Sequence, residues 1–356
     1  MKMHFWQWLR YRYSKELYRR KTKLSEARIT AFNQLIIDTH SYHSDSEKKV
    51  YIDNWDLKWF FISNLSPKRD FLLVKNPEDA QYIFFITIIR DYQNLKGKKV
   101  FFFFQEPEDY CSLYFQDIPS SFFMENDVTV ISHFINADLF LKNRNFKYIR
   151  ACTGYHNYHG ATIDMLSSLN GNIRPHEIFS ITSGLDGIPG NLKRKKFIEM
   201  LAASNNNFDY FGRFNKHSFS LKNYRGLCDF KFKLLGSYKY NLVIENSPQE
   251  DWYISEKIFD SLICGCFPIY HGSNKIFDIL PREWFYYLPS LESTEIKKLN
   301  IFLKTAAYKK VADNRSKIAT YIDKKFGFYS AVEHLVNDNS LSCLINSMPD
   351  GNEYVT

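Results

Sequence analysis

The chain has 356 residues, of which 45% are apolar, 17% aromatic and 24% charged, and at roughly 150 residues per domain this length predicts two domains. Lysine and arginine number 47 against 39 acidic residues, and the net charge of +8 fits an anionic ligand or an anionic membrane surface. With 14 glycines and no apolar run near the roughly 18 residues that cross a bilayer, the composition excludes collagen, low-complexity chains and membrane channels.

The first 24 residues are basic and aromatic. Aromatic side chains such as Phe5 and Trp8 could face away from Arg19 and Arg20 on one helix, which would then rest on anionic lipid. The imperfect periodicity favours a helix docked on the protein body or a partly ordered basic tail. The segment shows no apolar core and no cleavage site of a signal peptide, and the six cysteines form no C-x-x-C pair. We therefore expect reduced thiols and a cytoplasmic location.

From residue 49 onward, short apolar segments alternate with helical or polar ones. In the first half the pattern predicts strands at 49–53, 71–74, 82–89, 100–104 and 128–131 and a helix at 55–65. In the second half it predicts strands at 179–183, 208–211, 240–244 and 267–270, helices at 191–203 and 254–263, and mostly helix over 292–337. Continuous apolar strands separated by helices indicate parallel sheets covered on both faces.

The sequence therefore predicts an α/β fold with two domains facing each other across a cleft. The predicted divisions are a basic aromatic segment at 1–24, an N-terminal domain at 25–170, a C-terminal domain at 171–340 and a tail at 341–356. In such a fold ligands bind at the carboxyl ends of the strands.

The densest run of polar and charged residues follows the predicted strand 240–244. Glu245 and Asn246 stand at the end of this strand, and after a short loop Ser255 or a neighbour caps a helix whose first turn carries Glu256 and Lys257. Free backbone N–H groups and the helix dipole favour an anion there. The alternative is an ordinary N-cap with an incidental ion pair.

The order of these residues closely resembles the signature of the α-1,3/4-fucosyltransferases, glycosyltransferase family 10. The matching pieces are Tyr238 to Tyr240, Glu245 to Ser247, Tyr253 to Lys257 and Gly265 to Gly272. The resemblance is clear over about 179–290 and weaker in the N-terminal part. It implies two Rossmann-like domains in the GT-B arrangement and inverting transfer of L-fucose from GDP-β-L-fucose. The acceptor would be a hydroxyl of a glycan that contains N-acetylglucosamine or glucose, in α-1,3 or α-1,4 linkage.

The resemblance also implies where such an enzyme works. Animal members have an N-terminal membrane anchor and act in the Golgi, and this sequence shows none. It therefore looks like the bacterial type, which decorates lipopolysaccharide or surface glycans from the cytoplasmic face. The acceptor would then be an oligosaccharide or a glycolipid, with residues 1–24 as a peripheral contact to the membrane.

Two segments outside the signature also fit the family. Arg194 matches an arginine at the start of the helix 191–203 that contacts the nucleotide diphosphate, and the alternative is a solvated basic helix face. Glu106, directly after the strand 100–104, matches the catalytic base of bacterial members. Glu108 and Asp109 are close competitors for that role.

The chemistry of the transfer agrees with these assignments. Glu106 would take the proton of the acceptor hydroxyl, while Glu256 would bind ribose hydroxyls or face the positive charge on the sugar ring. Arg194, Lys257 and the helix N-terminus would stabilise the leaving diphosphate. The predicted catalytic residues are Glu106 and Glu256, and the predicted donor-binding residues are Arg194, Asn246, Tyr253, Lys257, Glu245 and Arg213.

No cofactor and no metal are expected. No Asp-x-Asp pair stands at a strand end, and His156 and His159 lack a third ligand at a telling spacing, so a surface loop is favoured there. Arg213 lines the base pocket or merely closes a strand. His271 touches the nucleotide or packs in a loop.

Other functions stay open. One is a related enzyme that uses another nucleotide sugar, since no residue pattern in the sequence alone specifies a guanine base. Another is a basic protein that binds nucleic acid or anionic glycan without catalysis. Glu106, Glu245 and Glu256 disfavour the latter because carboxylates in a groove repel a polyanion, so we expect no nucleic-acid partner. Aromatic residues in loops, such as Tyr110 and Tyr114, form an acceptor surface or belong to the core.

Overall fold

The computed structural model describes most of the two predicted domains. The described residues are 46–54, 70–74, 76–86, 95–107, 118–133, 146–152, 173–182, 189–212, 223–228 and 231–337. The predictions for residues 1–24, the helix 55–65, the histidines at 156 and 159 and the tail 341–356 lie outside these ranges.

The N-terminal half forms a parallel sheet of six strands in the order β2-β1-β3-β4-β5-β6. The strands are β1 (Lys49–Asn54), β2 (Leu72–Leu73), β3 (Tyr82–Ile86), β4 (Lys99–Phe103), β5 (Asp127–Ser132) and β6 (Lys147–Arg150). Successive side chains of a strand point to opposite faces. Phe84 therefore stacks on Phe101 at 4.7 Å on one face, while Phe85 stacks on Phe102 at 5.3 Å on the other. Both faces are buried, which accounts for the continuous aromatic runs.

The C-terminal half forms a second parallel sheet, in the order β12-β11-β10-β7-β8-β9. Its strands are β7 (His176–Thr182), β8 (Phe208–Gly212), β9 (Tyr224–Gly226), β10 (Tyr238–Ile244), β11 (Phe267–His271) and β12 (Tyr286–Tyr287). The strand order reverses between β7 and β10, so the chain leaves these neighbours toward opposite sides. The crevice at their carboxyl ends is the expected ligand position in such a sheet.

Helices cover the sheets. Within the described residues they are α1 (Ser120–Glu125), α2 (Pro189–Ser204), α3 (Lys231–Ser237), α4 (Glu256–Ile263), α5 (Ser293–Phe302), α6 (Tyr308–Asp313), α7 (Arg315–Phe326) and α8 (Phe328–Val336). Helix α4 carries an apolar face in which Ile258, Phe259 and Leu262 are buried. None of the helices in the described ranges combines the length and the apolarity that a membrane span requires.

Helix α8 packs on the N-terminal sheet, although it follows the C-terminal sheet along the chain. Gly327 separates α7 from α8, and a Cβ atom there would lie 2.2 Å from the carbonyl oxygen of Asp323. Phe328 then packs edge-on against Phe84 and Phe103, with ring centroids at 6.3 and 5.1 Å. Helix α8 thus completes the core of the N-terminal sheet, although the predicted division assigned its residues to the C-terminal domain.

The predicted α/β fold is confirmed. Every predicted strand is present, with ends that differ by a few residues from the predicted ones. The sequence did not predict β6, β9, β12, α1 or α3, all of which are short.

Candidate functional site

A cavity of about 300 Å³ lies at the carboxyl ends of β7 and β10. It is lined by ends of strands, by the first turns of α2 and α4, and by α3. The polar residues that line it are Ser180, Thr182, Arg194, Lys231, Asn241, Glu256, Lys257 and Asp260. Arg194, Glu256 and Lys257 were predicted, whereas Lys231 and Asp260 were not.

Arg194 is a buried cation with a spare hydrogen-bond donor. Its side chain is 4% exposed, and its Nη2 donates to Oδ1 of Asn246 at 2.7 Å. Its Nε finds no acceptor among the described residues. Burial lowers the pKa of the guanidinium while Glu245 raises it, and an arginine stays charged in either case. Since Arg194 also lines the cavity, its guanidinium is suited to an anion.

Glu245 acts behind the cavity rather than in its wall. Its carboxylate is fully buried and accepts hydrogen bonds from the backbone N of Ser255 at 2.9 Å and from Ser255 Oγ at 2.7 Å. Nζ of Lys257 lies 3.4 Å from the same carboxylate. These bonds fix the loop between β10 and α4, so Glu245 positions its neighbours and does not line the cavity.

The start of α4 has no side-chain cap. Ser255 occupies the N-cap position, as predicted, but its side chain makes no capping bond. Its Oγ instead donates to Glu245 and accepts from Lys257 Nζ at 2.8 Å. The first backbone N–H groups of a helix have no partner within the helix. The helix dipole at this start of α4 favours an anion.

Lys257 stays charged within this cluster. Burial lowers the pKa of its ammonium, but Glu256 and Glu245 raise it, and the result lies above the ordinary lysine value. Its Nζ lies 3.9 Å from Oε2 of Glu256. The first turn of α4 therefore presents one cation and one carboxylate to the cavity.

Glu106 joins this cluster from the N-terminal sheet. It follows β4 and is partly exposed. Burial raises the pKa of its carboxyl, Lys257 lowers it, and Glu256 and Glu245 raise it. The structure thus brings the strand ends of both sheets close enough for their charges to interact. Glu108 and Asp109, the competitors of Glu106, and Arg213 lie outside the described residues.

Tyr253 lies close enough to these carboxylates to feel their charge. Its ring is buried, and burial together with Glu245 and Glu106 raises the pKa of its phenol well above the ordinary value. It packs 5.1 Å from the ring of His133, whose Nε2 lies 2.8 Å from Oε2 of Glu250. This contact joins the end of β5 to the loop after β10. Sequence reasoning missed His133, although it directly follows a predicted strand, as Glu106 does.

A second cavity, of about 760 Å³, lies between the start of α2 and the ends of β11 and β12. Lys193, Lys196 and His271 are in its wall. Nδ1 of His271 lies 2.7 Å from the carbonyl oxygen of Leu288 and donates to it, which leaves Nε2 as an acceptor. Burial lowers the pKa of this imidazole, as do the charges of Arg194 and Lys193. His271 is therefore neutral and lines the second cavity.

Two glycines of the signature are required by their surroundings. Gly265 has a left-handed backbone, with φ +69°, and a Cβ there would lie 2.8 Å from Nη2 of Arg174. A Cβ on Gly272 would lie 2.4 Å from the hydroxyl of Tyr270 and 2.7 Å from Cγ of Glu245. Gly272 thus lets the end of β11 approach the residue that fixes the loop of the site.

The described part of the chain contains no group of three or more His, Cys, Asp or Glu side chains arranged to hold a metal ion. The cavity wall combines apolar side chains such as Leu227 and Leu242 with cations, carboxylates and hydroxyls, which suits a charged organic ligand.

Curated sequences similar to this chain are fucosyltransferases. The GDP-fucose protein O-fucosyltransferase 3 of Gallus gallus is 44% identical over 52 residues, which are 15% of this chain and 11% of that protein. A putative fucosyltransferase-like protein of Arabidopsis thaliana is 31% identical over 103 residues, which are 29% of this chain and 18% of that protein. The matches thus span less than a fifth of either relative. No family model matches the chain.

Solved structures give the fold. A DNA-modifying β-glucosyltransferase, studied with and without its substrate uridine diphosphoglucose, matches with a TM-score of 0.50 over 82% of this chain and 99% of its own, at 11% identity. The chain has the GT-B fold. An α1,3-fucosyltransferase matches with a TM-score of 0.44 over 90% of this chain and 99% of its own, at 16% identity. The resemblance to fucosyltransferases found in the sequence is confirmed by the names of the two curated relatives.

Proposed function

We propose that this GT-B protein is an inverting glycosyltransferase that moves L-fucose from GDP-β-L-fucose to a hydroxyl of a glycan containing N-acetylglucosamine or glucose. The observation that carries the proposal is the approach of the two sheets at this site, where Tyr253 packs on His133 and the charges of Glu256 and Lys257 act on Glu106 after β4. A carboxylate and an anion site on opposite sides of one cleft are what such a transfer needs. The choice of fucose rests on the signature and on the similar curated sequences.

In the proposed step, Glu106 removes the proton of the acceptor hydroxyl. The acceptor oxygen forms a bond to the anomeric carbon, and the bond from that carbon to the β-phosphate oxygen breaks with its electron pair. Because the attack comes from the side opposite the leaving group, the configuration inverts from β to α. Partial burial near two other carboxylates raises the pKa of Glu106 and makes it a stronger base, while Lys257 favours its ionised form.

The leaving GDP gains negative charge as that bond breaks. Arg194 contributes its guanidinium, Lys257 its ammonium, and α4 the positive end of its helix dipole. All three are fixed before the reaction, so they stabilise the developing charge without reorganisation. In this scheme Asn246 orients Arg194, Tyr253 shields the cluster from water and Glu256 binds ribose hydroxyls. No metal ion is needed for the chemistry.

The finer features of the proposal follow the family resemblance. The linkage is α-1,3 or α-1,4, and the acceptor is an oligosaccharide or glycolipid of a lipopolysaccharide or other surface glycan. The enzyme would act at the cytoplasmic face of a membrane, with residues 1–24 as a peripheral contact.

A panel of nucleotide sugars tests the donor. We expect release of GDP from GDP-fucose, in the presence of N-acetyllactosamine or lactose, to exceed release from GDP-mannose and from UDP-sugars. Glu106→Gln should lower kcat by about 10²- to 10⁴-fold, the usual contribution of a general base, and leave GDP affinity unchanged. Asp251→Asn, an exposed carboxylate in the loop after β10, is the matched control. Equal use of all donors, or full activity of Glu106→Gln, would contradict the proposal.

A further inference from the structure

Lys231, on helix α3, contributes a third cation to the donor cavity. Its side chain is 19% exposed, and its Nζ forms an ion pair with Oδ2 of Asp260, which is only 1% exposed. The same Nζ lies 3.8 Å from Oε1 of Glu256. Lys231 lies outside the signature that carries the family resemblance, and nothing in the preceding mechanism uses it.

The two carboxylates that Lys231 contacts lie one helical turn apart. Glu256 and Asp260 are four residues apart on α4, so they share one face of the helix, and both line the cavity. Two carboxylates this close repel each other, and without a nearby cation one of them takes a proton or turns away. A cation between them is therefore required if both are to stay charged.

Lys257 cannot fill this role alone. It approaches Oε2 of Glu256 at 3.9 Å, but its Nζ also donates to Ser255 Oγ and lies close to Glu245. Lys231 approaches the other oxygen, Oε1, from α3. The carboxylate of Glu256 is thus held between two lysines, one at each oxygen.

Lys231 is charged in this setting. Burial lowers the pKa of its ammonium, but Asp260 and Glu256 raise it, and the balance lies above the ordinary lysine value. Asp260 anchors the ammonium, since its side chain is buried and forms the shorter of the two contacts.

We infer that Lys231 is a positioning residue of the donor site, anchored by Asp260, that keeps the carboxylate of Glu256 ionised and turned toward the ribose hydroxyls of a nucleoside diphosphate. The inference rests on the proposed function, because it takes Glu256 as the group that binds ribose. It explains why a lysine and a buried aspartate accompany the two charged residues of the signature.

The test compares the dissociation constants of GDP and 2′,3′-dideoxy-GDP by calorimetry. The ratio of the two constants measures how strongly the site binds the ribose hydroxyls. For the wild type we expect a ratio of about 10 to 100, the range for hydrogen bonds to a charged group. Glu256→Gln and Lys231→Met should both lower it to below about 3, and Lys231→Arg should keep it. Lys233→Met, an exposed lysine on the same helix, should leave it unchanged.

A second pair of variants guards against misfolding, because Lys231→Met leaves Asp260 buried without its cation. In the Asp260→Asn background the buried charge is gone, and with it the repulsion that Lys231 offsets, so there Lys231→Met should change the ratio less than threefold. A wild-type ratio in Lys231→Met or in Glu256→Gln, or a ratio lowered at least threefold by Lys231→Met in the Asn background, would overturn the inference.

The identity of the donor nucleotide is tested separately from the role of Lys231. Should the wild type bind UDP or ADP in place of GDP, the GDP-fucose proposal fails, and the ratio is measured with the dideoxy form of the nucleotide that binds. A wild type that binds none of the three overturns both.

Discussion

The sharpest prediction concerns Arg194→Met. This change removes the cation that faces the cavity while keeping a side chain that fills much of the same space. Arg194 lines the cavity and is bonded to Asn246 through Nη2, and its buried Nε has no acceptor among the described residues. One hydrogen bond from a charged donor contributes about 1.5–3 kcal/mol. Since 1.4 kcal/mol corresponds to a factor of ten, GDP should bind about 10- to 100-fold more weakly.

The assay is calorimetric titration of wild type and variant with GDP and with guanosine. Guanosine carries no phosphate, so its affinity should change less than threefold. Lys196→Met, an exposed lysine on the same helix, is the matched control and should bind GDP as the wild type does. Arg194→Lys should recover little, because an ammonium lacks the planar set of donors that reaches Asn246 and the ligand together. Equal weakening of GDP and guanosine would refute the assignment, because Arg194 would then hold the site's shape and not the diphosphate.

Three further predictions follow from packing and charge. Burial raises the pKa of Glu106, so kcat should fall on acidification at a higher pH than for an ordinary glutamate. Lys257 lowers that pKa, so Lys257→Met should move the acid limb of the pH–rate profile to still higher pH. A shift of the acid limb to lower pH in the variant would contradict this. Gly272→Ala should lower the free energy of unfolding in urea by about 1–3 kcal/mol, since its Cβ would lie 2.4 Å from the hydroxyl of Tyr270. An unchanged urea midpoint would show that the end of β11 shifts to accommodate the methyl group without loss of stability. Phe328→Ala should lower the free energy of unfolding by about 3–5 kcal/mol in the same assay, because its buried ring packs in the core of the N-terminal sheet. A loss of stability below about 1 kcal/mol would mean that α8 is not part of that core.

The long buried strands could be predicted because their pattern is unambiguous. Runs such as 100–104 are apolar at every position, which only a strand covered on both faces explains well. The short strands β6 and β9 mix charged and apolar residues over four and three positions, too few for a period to show. The placement of α8 on the N-terminal sheet could not be predicted either, since its apolar face fits either core equally well.

The candidate site was predictable where residues follow one another along the chain. Glu256 and Lys257 stand at the start of a helix after a buried strand, and that local order carries the chemistry. The partners of Glu256 from α3 were missed because Lys231 is 25 positions earlier and meets it only through the packing of α3 on α4. The use of Ser255 as a link between Glu245 and Lys257, and not as a cap, likewise depends on where β10 ends relative to α4.

The return of the chain through Gly327 has a mechanical consequence. The polypeptide returns to the N-terminal sheet between Phe326 and Phe328, whose buried rings belong to the cores of different sheets. A crossing this short holds the two cores together at Gly327 and leaves rotation about that point as the main freedom. Opening of the cleft should thus be a hinge motion that pivots at Gly327.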